Sequence, residues 1–198
     1  MPRRSRVHLD GVPLHIVQRG HNREPCLFYE DDYASYLYWL EKALRETGCA
    51  LHAYVLMTNH VHLLLTPRKA AAVPRLLMSL GRRYVQYINR TYKRTGTLWD
   101  SRYNSSSVQA DWNLLLCQRY FELNPVRVAM VDDPAHYRWS SYRHNGLGQA
   151  DSRLTVQPLY EGLGRDEKER QACYRALFRN ELDQVAPDAI RLAFKLRE

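Results

Sequence analysis

The sequence predicts an α+β domain built on an antiparallel sheet, and three observations carry that prediction. Segments of strand and helix periodicity follow in the order strand, helix, strand, strand, helix, strand. The two middle strands are separated by only Thr58 and Asn59. The two helical stretches carry apolar stripes at helical spacing with charge opposite. Together these make the split βαβ pattern of a ferredoxin-like antiparallel sheet with its helices on one face.

The elements follow in order. Residues 12–18 alternate well enough for a first strand, which closes in the polar loop 19–23. Asp31 or Asp32 suits the cap of a helix reaching Thr47, with Tyr36, Leu37, Leu40 and Leu44 on one face and Gly48 as its stop. Residues 49–57 are apolar and bounded by turn residues, so a second strand, and residues 60–66 form a hairpin with it. Residues 70–93 predict a long helix whose Leu76, Leu77, Leu80, Tyr84, Tyr87 and Ile88 turn inward and whose arginines turn outward. After Gly96, residues 98–108 predict a fourth strand and residues 112–123 a further helix. Residues 145–157, with Gly146, Gly148 and Pro158 close by, predict a linker. The chain thus divides into a domain over residues 1–144 and an extension over 145–198, with residues 165–194 charge-balanced and rich in helix formers.

Composition narrows the function classes. At 45% hydrophobic and 25% charged residues, the 198-residue chain has the makeup of an ordinary globular domain. No apolar run approaches the roughly 20 residues of a membrane helix, and the start lacks the apolar stretch of a signal peptide. Cys26, Cys49, Cys117 and Cys173 form no CxxC pair, so a cytoplasmic, reducing location is expected. A membrane protein, a disulfide scaffold and a zinc ribbon are set aside.

The net charge of +8 is unevenly placed. Residues 67–110 hold nine basic side chains against one acidic, and the segments on either side are balanced. Such a concentration points to a polyanion, nucleic acid first, although a solvated basic helix face reads the same way. Arg82, Arg83, Arg90, Lys93, Arg94 and Arg102 belong to this stretch, with Tyr84, Tyr87, Tyr92, Trp99 and Tyr103 among them as stacking or core residues. The arm Arg3, Arg4, Arg6 and the loop residues Arg19 and Arg23 are further candidates for DNA contact.

His60-Val61-His62 is the sharpest local signal. Side chains at i and i+2 of a strand share a face, so both imidazoles could grip one cation, or simply sit on a half-exposed strand. His15 and His52, on neighbouring strands, read as structural. Tyr120 and Asn124 share a helix face at i, i+4 and could set a phenol beside an amide ligand. Asn124 before Pro125 reads equally as a helix cap, and Tyr120 is one of 14 tyrosines, so the residues alone leave both readings open.

Five blocks in order resemble a known family, the REP-associated tyrosine transposases of the single-tyrosine HUH superfamily. They are His15-Ile-Val-Gln-Arg-Gly-His-Asn-Arg23, Met57-Thr-Asn-His-Val-His-Leu-Leu-Leu65, Gly96-Thr-Leu-Trp-Asp-Ser-Arg-Tyr103, Arg119-Tyr-Phe-Glu-Leu-Asn-Pro-Val-Arg127 and Trp139-Ser-Ser-Tyr142. Thr58 stands where the family often has proline. The resemblance implies an HUH endonuclease palm, a divalent ion (Mg²⁺ or Mn²⁺) on His60, His62 and Asn124, and Tyr120 as nucleophile. It also implies single-stranded DNA with hairpins from repeated extragenic palindromes as the substrate, cut to a 5′-phosphotyrosine and a 3′-hydroxyl. Phenol is a poor nucleophile near neutral pH, its pKa being about 10, so a Lewis acid on the phosphate suits this chemistry. The expected assembly is a monomer or homodimer. Two other readings stand beside it: a hairpin-binding protein that does not cut, and a rolling-circle initiator or relaxase-type nickase.

Overall fold

The structure is a computed structural model describing residues 8–108 and 111–179. Arg3, Arg4, Arg6 and the tail beyond residue 179 lie outside the described residues. The sheet comprises β1 (Leu14–Arg19), β2 (Cys49–Met57), β3 (His60–Pro67) and β4 (Asn104–Ser107). Its order is β2-β3-β1-β4 with every neighbouring pair antiparallel, the arrangement the sequence predicts. Helix α1 (Glu30–Thr47) connects β1 to β2, and α2 (Ala72–Thr91) connects β3 to β4.

Alternation along β3 sorts its side chains. Val61, Leu63 and Leu65 enter a core with Leu14 and Ile16 of β1, Leu51 and Leu56 of β2, and the apolar stripes of α1 and α2. Each such leucine, wholly withdrawn from water, contributes about 1.5–3 kcal/mol. Helix α1 starts at Tyr29, where Asp32 accepts from the backbone of Phe28 and Tyr29, so Asp32 caps from inside the first turn. It stops at Gly48, whose φ of 68° only glycine adopts without strain.

Leu64 faces the other way, into a second core with Ala53, Val55, Met57, Cys117, Phe121 and Tyr137. This core is roofed by α3 (Asp111–Glu122), which continues after a break into α4 (Asn124–Arg127). The two crossing helices therefore share one face of the sheet, and the tyrosine helix covers the opposite one.

Two expectations need correction. The fourth strand is shorter than expected, the polar run Asn104–Ser107. Leu98 and Trp99 turn their side chains into the first core, and Trp99 keeps an isolated antiparallel bridge to Gly20. The predicted linker over residues 145–157 is tied to the palm. Thr155 donates to the Leu51 carbonyl, and Tyr54 donates to Asp151 at 2.9 Å. Just before it, residues 139–141 run along the β2 edge, with Leu56 N–H donating to Trp139 and Ser141 N–H to Tyr54. Gly146, Gly148 and Pro158 marked the stretch as a linker, but the edge of β2 supplies hydrogen bonds that hold it down. Helices α5 (Tyr142–Leu147), α6 (Pro158–Glu161) and α7 (Glu167–Arg179) follow. Tyr142, Tyr160 and Tyr174 bring these three together in a third, aromatic cluster.

Candidate functional site

The β2–β3 turn and β1 set the first part of the site. Gly20 N–H donates to the Asn59 carbonyl at 2.8 Å, and Cys26 and Leu27 both donate to the Thr58 carbonyl. A Cβ on Gly20 would lie 2.1 Å from the Glu24 carbonyl oxygen, so only glycine lets this loop close over the turn. Asn59 is then turned by its own bonds. Its Nδ2 donates to the Arg23 carbonyl at 3.0 Å, which leaves Oδ1 toward His60 Nδ1 at 2.7 Å. An amide oxygen only accepts, so His60 carries its proton on Nδ1 and a lone pair on Nε2.

His62 is held in the same manner from deeper in the sheet. Its Nδ1 lies 2.7 Å from His15 Nε2, and its Nε2 lies 3.2 Å from the Asn124 side-chain amide. With that amide nitrogen donating, the Nε2 lone pair of His62 also points away from the sheet. Phe121 stacks on His62 at 5.8 Å and on His15 at 5.4 Å, forming the apolar back wall. Burial pushes the His60 imidazolium down to about 4, helped by the charge of Arg19 opposite it in the ladder. Burial likewise pushes His62 well below its ordinary value, with His15, His60 and Arg19 adding to it. Both rings are neutral near pH 7, the form in which imidazole binds a metal.

The helix side contributes Tyr120 and Asn124. Arg127 links them: its guanidinium sits 4.3 Å from the Tyr120 ring centroid and donates to the Tyr120 carbonyl at 2.7 Å. The same Nη1 lies 3.5 Å from Asn124 Oδ1. The sequence-predicted residues His60, His62 and Asn124 thus meet within one chain, with Tyr120 joined to Asn124 through Arg127. A divalent ion there would take the two Nε2 lone pairs and the amide oxygen in place of the present bond between Asn124 and His62. Each imidazole has a partner on its other nitrogen, the usual support of a metal-binding histidine. Among the described residues no group of three or more His, Cys, Asp or Glu side chains is spaced to hold a metal, so the amide is essential to such a set. The nearby carboxylate of Glu122 is engaged elsewhere, with Ser141, Tyr174 and Asn145.

The basic residues divide. Arg19, Arg23, Arg82, Arg90, Lys93, Arg94 and Arg102 form no ion pair among the described residues, whereas Arg83 is paired with Glu46 at 2.8 Å and lies over Trp39. Arg82 and Arg83 lie along α2, on the sheet face away from the histidines. Arg19 and Arg23 border the β2–β3 turn, and the chain carrying Arg102 passes beside β1, where Asp100 N–H donates to the Arg19 carbonyl. Tyr84 and Trp99 are core residues, and Tyr84 donates to the Cys26 carbonyl. Sequence reasoning missed three supporting side chains: His15, Asn59 and Arg127. A histidine inside an otherwise apolar strand was the available signal for His15, since a buried polar group needs a partner.

Residues 9–124 match the family described as IS200-like transposase. Among solved structures, the fold is similar to that of the REP-associated tyrosine transposase bound to a REP hairpin. The two share 14% identity with a TM-score of 0.60, over 79% of this chain and 93% of that one. A candidate transposase from Deinococcus radiodurans is similar at 23% identity and a TM-score of 0.43, over 61% and 95% of the two chains. No curated protein matches the sequence. The family match runs from the start of the sheet through the histidine strand to Asn124, more than half of the chain, and so the chain belongs to the IS200-like transposase family.

Proposed function

We propose that this protein is a metal-dependent transposase that nicks and rejoins single-stranded DNA at hairpin-bearing sites through a 5′-phosphotyrosine on Tyr120. One observation carries the reading: the Asn124 amide, four residues after Tyr120 and just across the break between α3 and α4, lies 3.2 Å from His62 Nε2. Arg127, which touches both Tyr120 and Asn124, links the tyrosine to the histidine side within a single chain, and this supports catalysis in cis. The likeness of the fold to a transposase bound to a REP hairpin supports a hairpin-bearing strand as substrate.

His60, His62 and Asn124 would hold Mn²⁺ or Mg²⁺, which when bound supplies Lewis-acid polarisation of the scissile phosphate. Three neutral ligands leave the full charge of the ion for the phosphate. Arg127 holds the Tyr120 ring and carbonyl and so limits the directions open to the phenol. In the step itself the Tyr120 oxygen bonds to phosphorus as the bond to the 3′ oxygen breaks. The phenol gives up its proton, and the departing 3′ oxygen takes one. One phosphoester replaces another, so a 3′-hydroxyl from another strand can reverse the reaction without a nucleotide cofactor. Arg19, Arg23 and Arg102 contribute charge for the strand backbone at the same end of the sheet.

The test is a labelled single-stranded hairpin oligonucleotide incubated with the protein and Mn²⁺ or Mg²⁺, then run under denaturing conditions. A protein–DNA adduct is expected, lost with chelator and lost in Tyr120→Phe. Binding without adduct in either metal would overturn the enzyme reading in favour of a non-cutting hairpin binder.

A further inference from the structure

Beside the β2–β3 turn, three aromatic rings gather at the surface. Tyr92, just past the end of α2, lies 4.9 Å from Phe28 and 6.3 Å from Tyr29, nearly parallel to the latter at 18°. Tyr29 is 70% exposed and Phe28 36% exposed. The Arg94 guanidinium covers Phe28 at 5.7 Å. These rings are fixed in place. Asp32, itself fully buried, accepts from Phe28 N–H at 2.9 Å, Tyr29 N–H at 3.0 Å and the Tyr92 hydroxyl at 2.8 Å. One carboxylate therefore pins the backbone under two of the rings and the tip of the third. The two backbone bonds also cap α1, so the buried carboxylate serves the helix start as well, while its third bond, to the Tyr92 hydroxyl, fixes a ring at the surface.

The position of this platform relates it to the site above. Leu27, next to Phe28, donates to the Thr58 carbonyl, and Asn59 then orients His60. Arg23 is on the same loop, and Arg90, Lys93 and Arg94 end α2 and begin the loop after it, with no ion pair among the described residues. Glu24 and Asp31 are exposed nearby, and Glu30 is answered by Arg138 at 3.1 Å. The patch is thus not a bare cationic surface. It offers ring faces, with positive charge from one side, and that combination fits unpaired bases on a sugar–phosphate strand.

We infer that Phe28, Tyr29 and Tyr92 form a preorganised stacking platform for an unpaired base of the DNA strand that flanks the hairpin. The inference rests on the proposed DNA substrate and deepens it, by giving the single-stranded flank a site of its own outside the histidine–tyrosine centre. Arg94 and Lys93 hold the phosphates next to the stacked base, and the strand continues past Arg23 toward His60.

Two oligonucleotides test it by fluorescence anisotropy without divalent metal: one blunt-ended hairpin, and the same hairpin with a short single-stranded tail carrying 2-aminopurine. The parent protein is expected to bind the tailed form more tightly and to quench its 2-aminopurine. Tyr29→Ala and Phe28→Ala should weaken the tailed form on the order of 10-fold, as expected for one base–aromatic stack, and leave the blunt hairpin unchanged. Tyr29→Phe, which keeps the ring, should retain parental affinity. Both replaced side chains are partly or largely exposed, and unaltered thermal midpoints check that the variants are folded. Equal affinity of the parent and alanine variants for the tailed form overturns the platform, leaving the exposed rings for a protein partner. Failure of the parent to bind either oligonucleotide overturns the DNA reading as well, so the two failures are distinguishable.

Discussion

Along β3 the side chains alternate between two environments. Val61, Leu63 and Leu65 meet the aliphatic stripes of α1 and α2, while on the other face His62 meets Phe121 and Asn124 beneath α3, and His60 lies beside His62. The first face is held mainly by area removed from water. The second carries a connected polar chain, His15 to His62 to Asn124 to Arg127, whose bonds each fix a direction as well as contribute energy. The larger apolar core and the candidate site are thus placed on opposite sides of one strand. The β2–β3 hairpin ties them together, because a shift of register by one residue would exchange the two sets.

The largest separation between the faces should come from the histidine side. His60→Ala is expected to lower adduct formation at least a thousandfold, about 4 kcal/mol of transition-state stabilisation, while the urea midpoint barely changes. Retained cleavage at half the parental rate would break the division. On the other face, Leu63→Ala should cost about 3 kcal/mol of folding stability through lost burial and the cavity left behind. Activity per folded molecule should be unchanged, as read by adduct yield against the folded fraction at low temperature.

Acid should expose a third difference. His15 is pushed down to about 3 and His60 to about 4, chiefly by burial, against an unfolded value of 6.5. As pH drops below 6.5, the unfolded chain gains protons that these rings refuse, so stability falls. Glu122 acts in the opposite sense: burial raises it to about 7 from 4.5, so between those values the folded state keeps the extra proton and gains stability on acidification. Urea midpoints measured near pH 7, 6 and 5 should decline, less steeply in His15→Gln and more steeply in Glu122→Gln. Identical slopes in all three proteins would remove the titrating histidines from the account.

The smallest effects belong to the surface of α2. Arg82→Ala should weaken DNA binding modestly and reduce the salt slope by no more than about one counterion. Arg83→Ala should do less, since Glu46 already neutralises it, and the exposed pair it breaks is worth under about 1 kcal/mol. Anisotropy titrations over a salt series decide between them, and a larger slope change for Arg83 would contradict its pairing.

Element order, the hairpin at Thr58 and Asn59, and the shared face of His60 and His62 were written locally, because periodicity and turn chemistry act over a few residues. Tyr120 and Asn124 could be named as candidates from the chain by resemblance, and the approach of Asn124 to His62 needed the packing of α3 across β3. The concentration of charge in residues 67–110 was visible in the sequence, but its division was not. Folding sends Arg82 and Arg83 along the helix layer behind the sheet and returns Arg90, Lys93 and Arg94 to the end where His60 lies. Asn59 turned by the Arg23 carbonyl, His15 behind His62, and Asp32 under three aromatic rings are likewise decisions of the tertiary structure. Each depends on groups far apart along the chain meeting in a buried place, where an unpaired polar atom is too costly to leave alone.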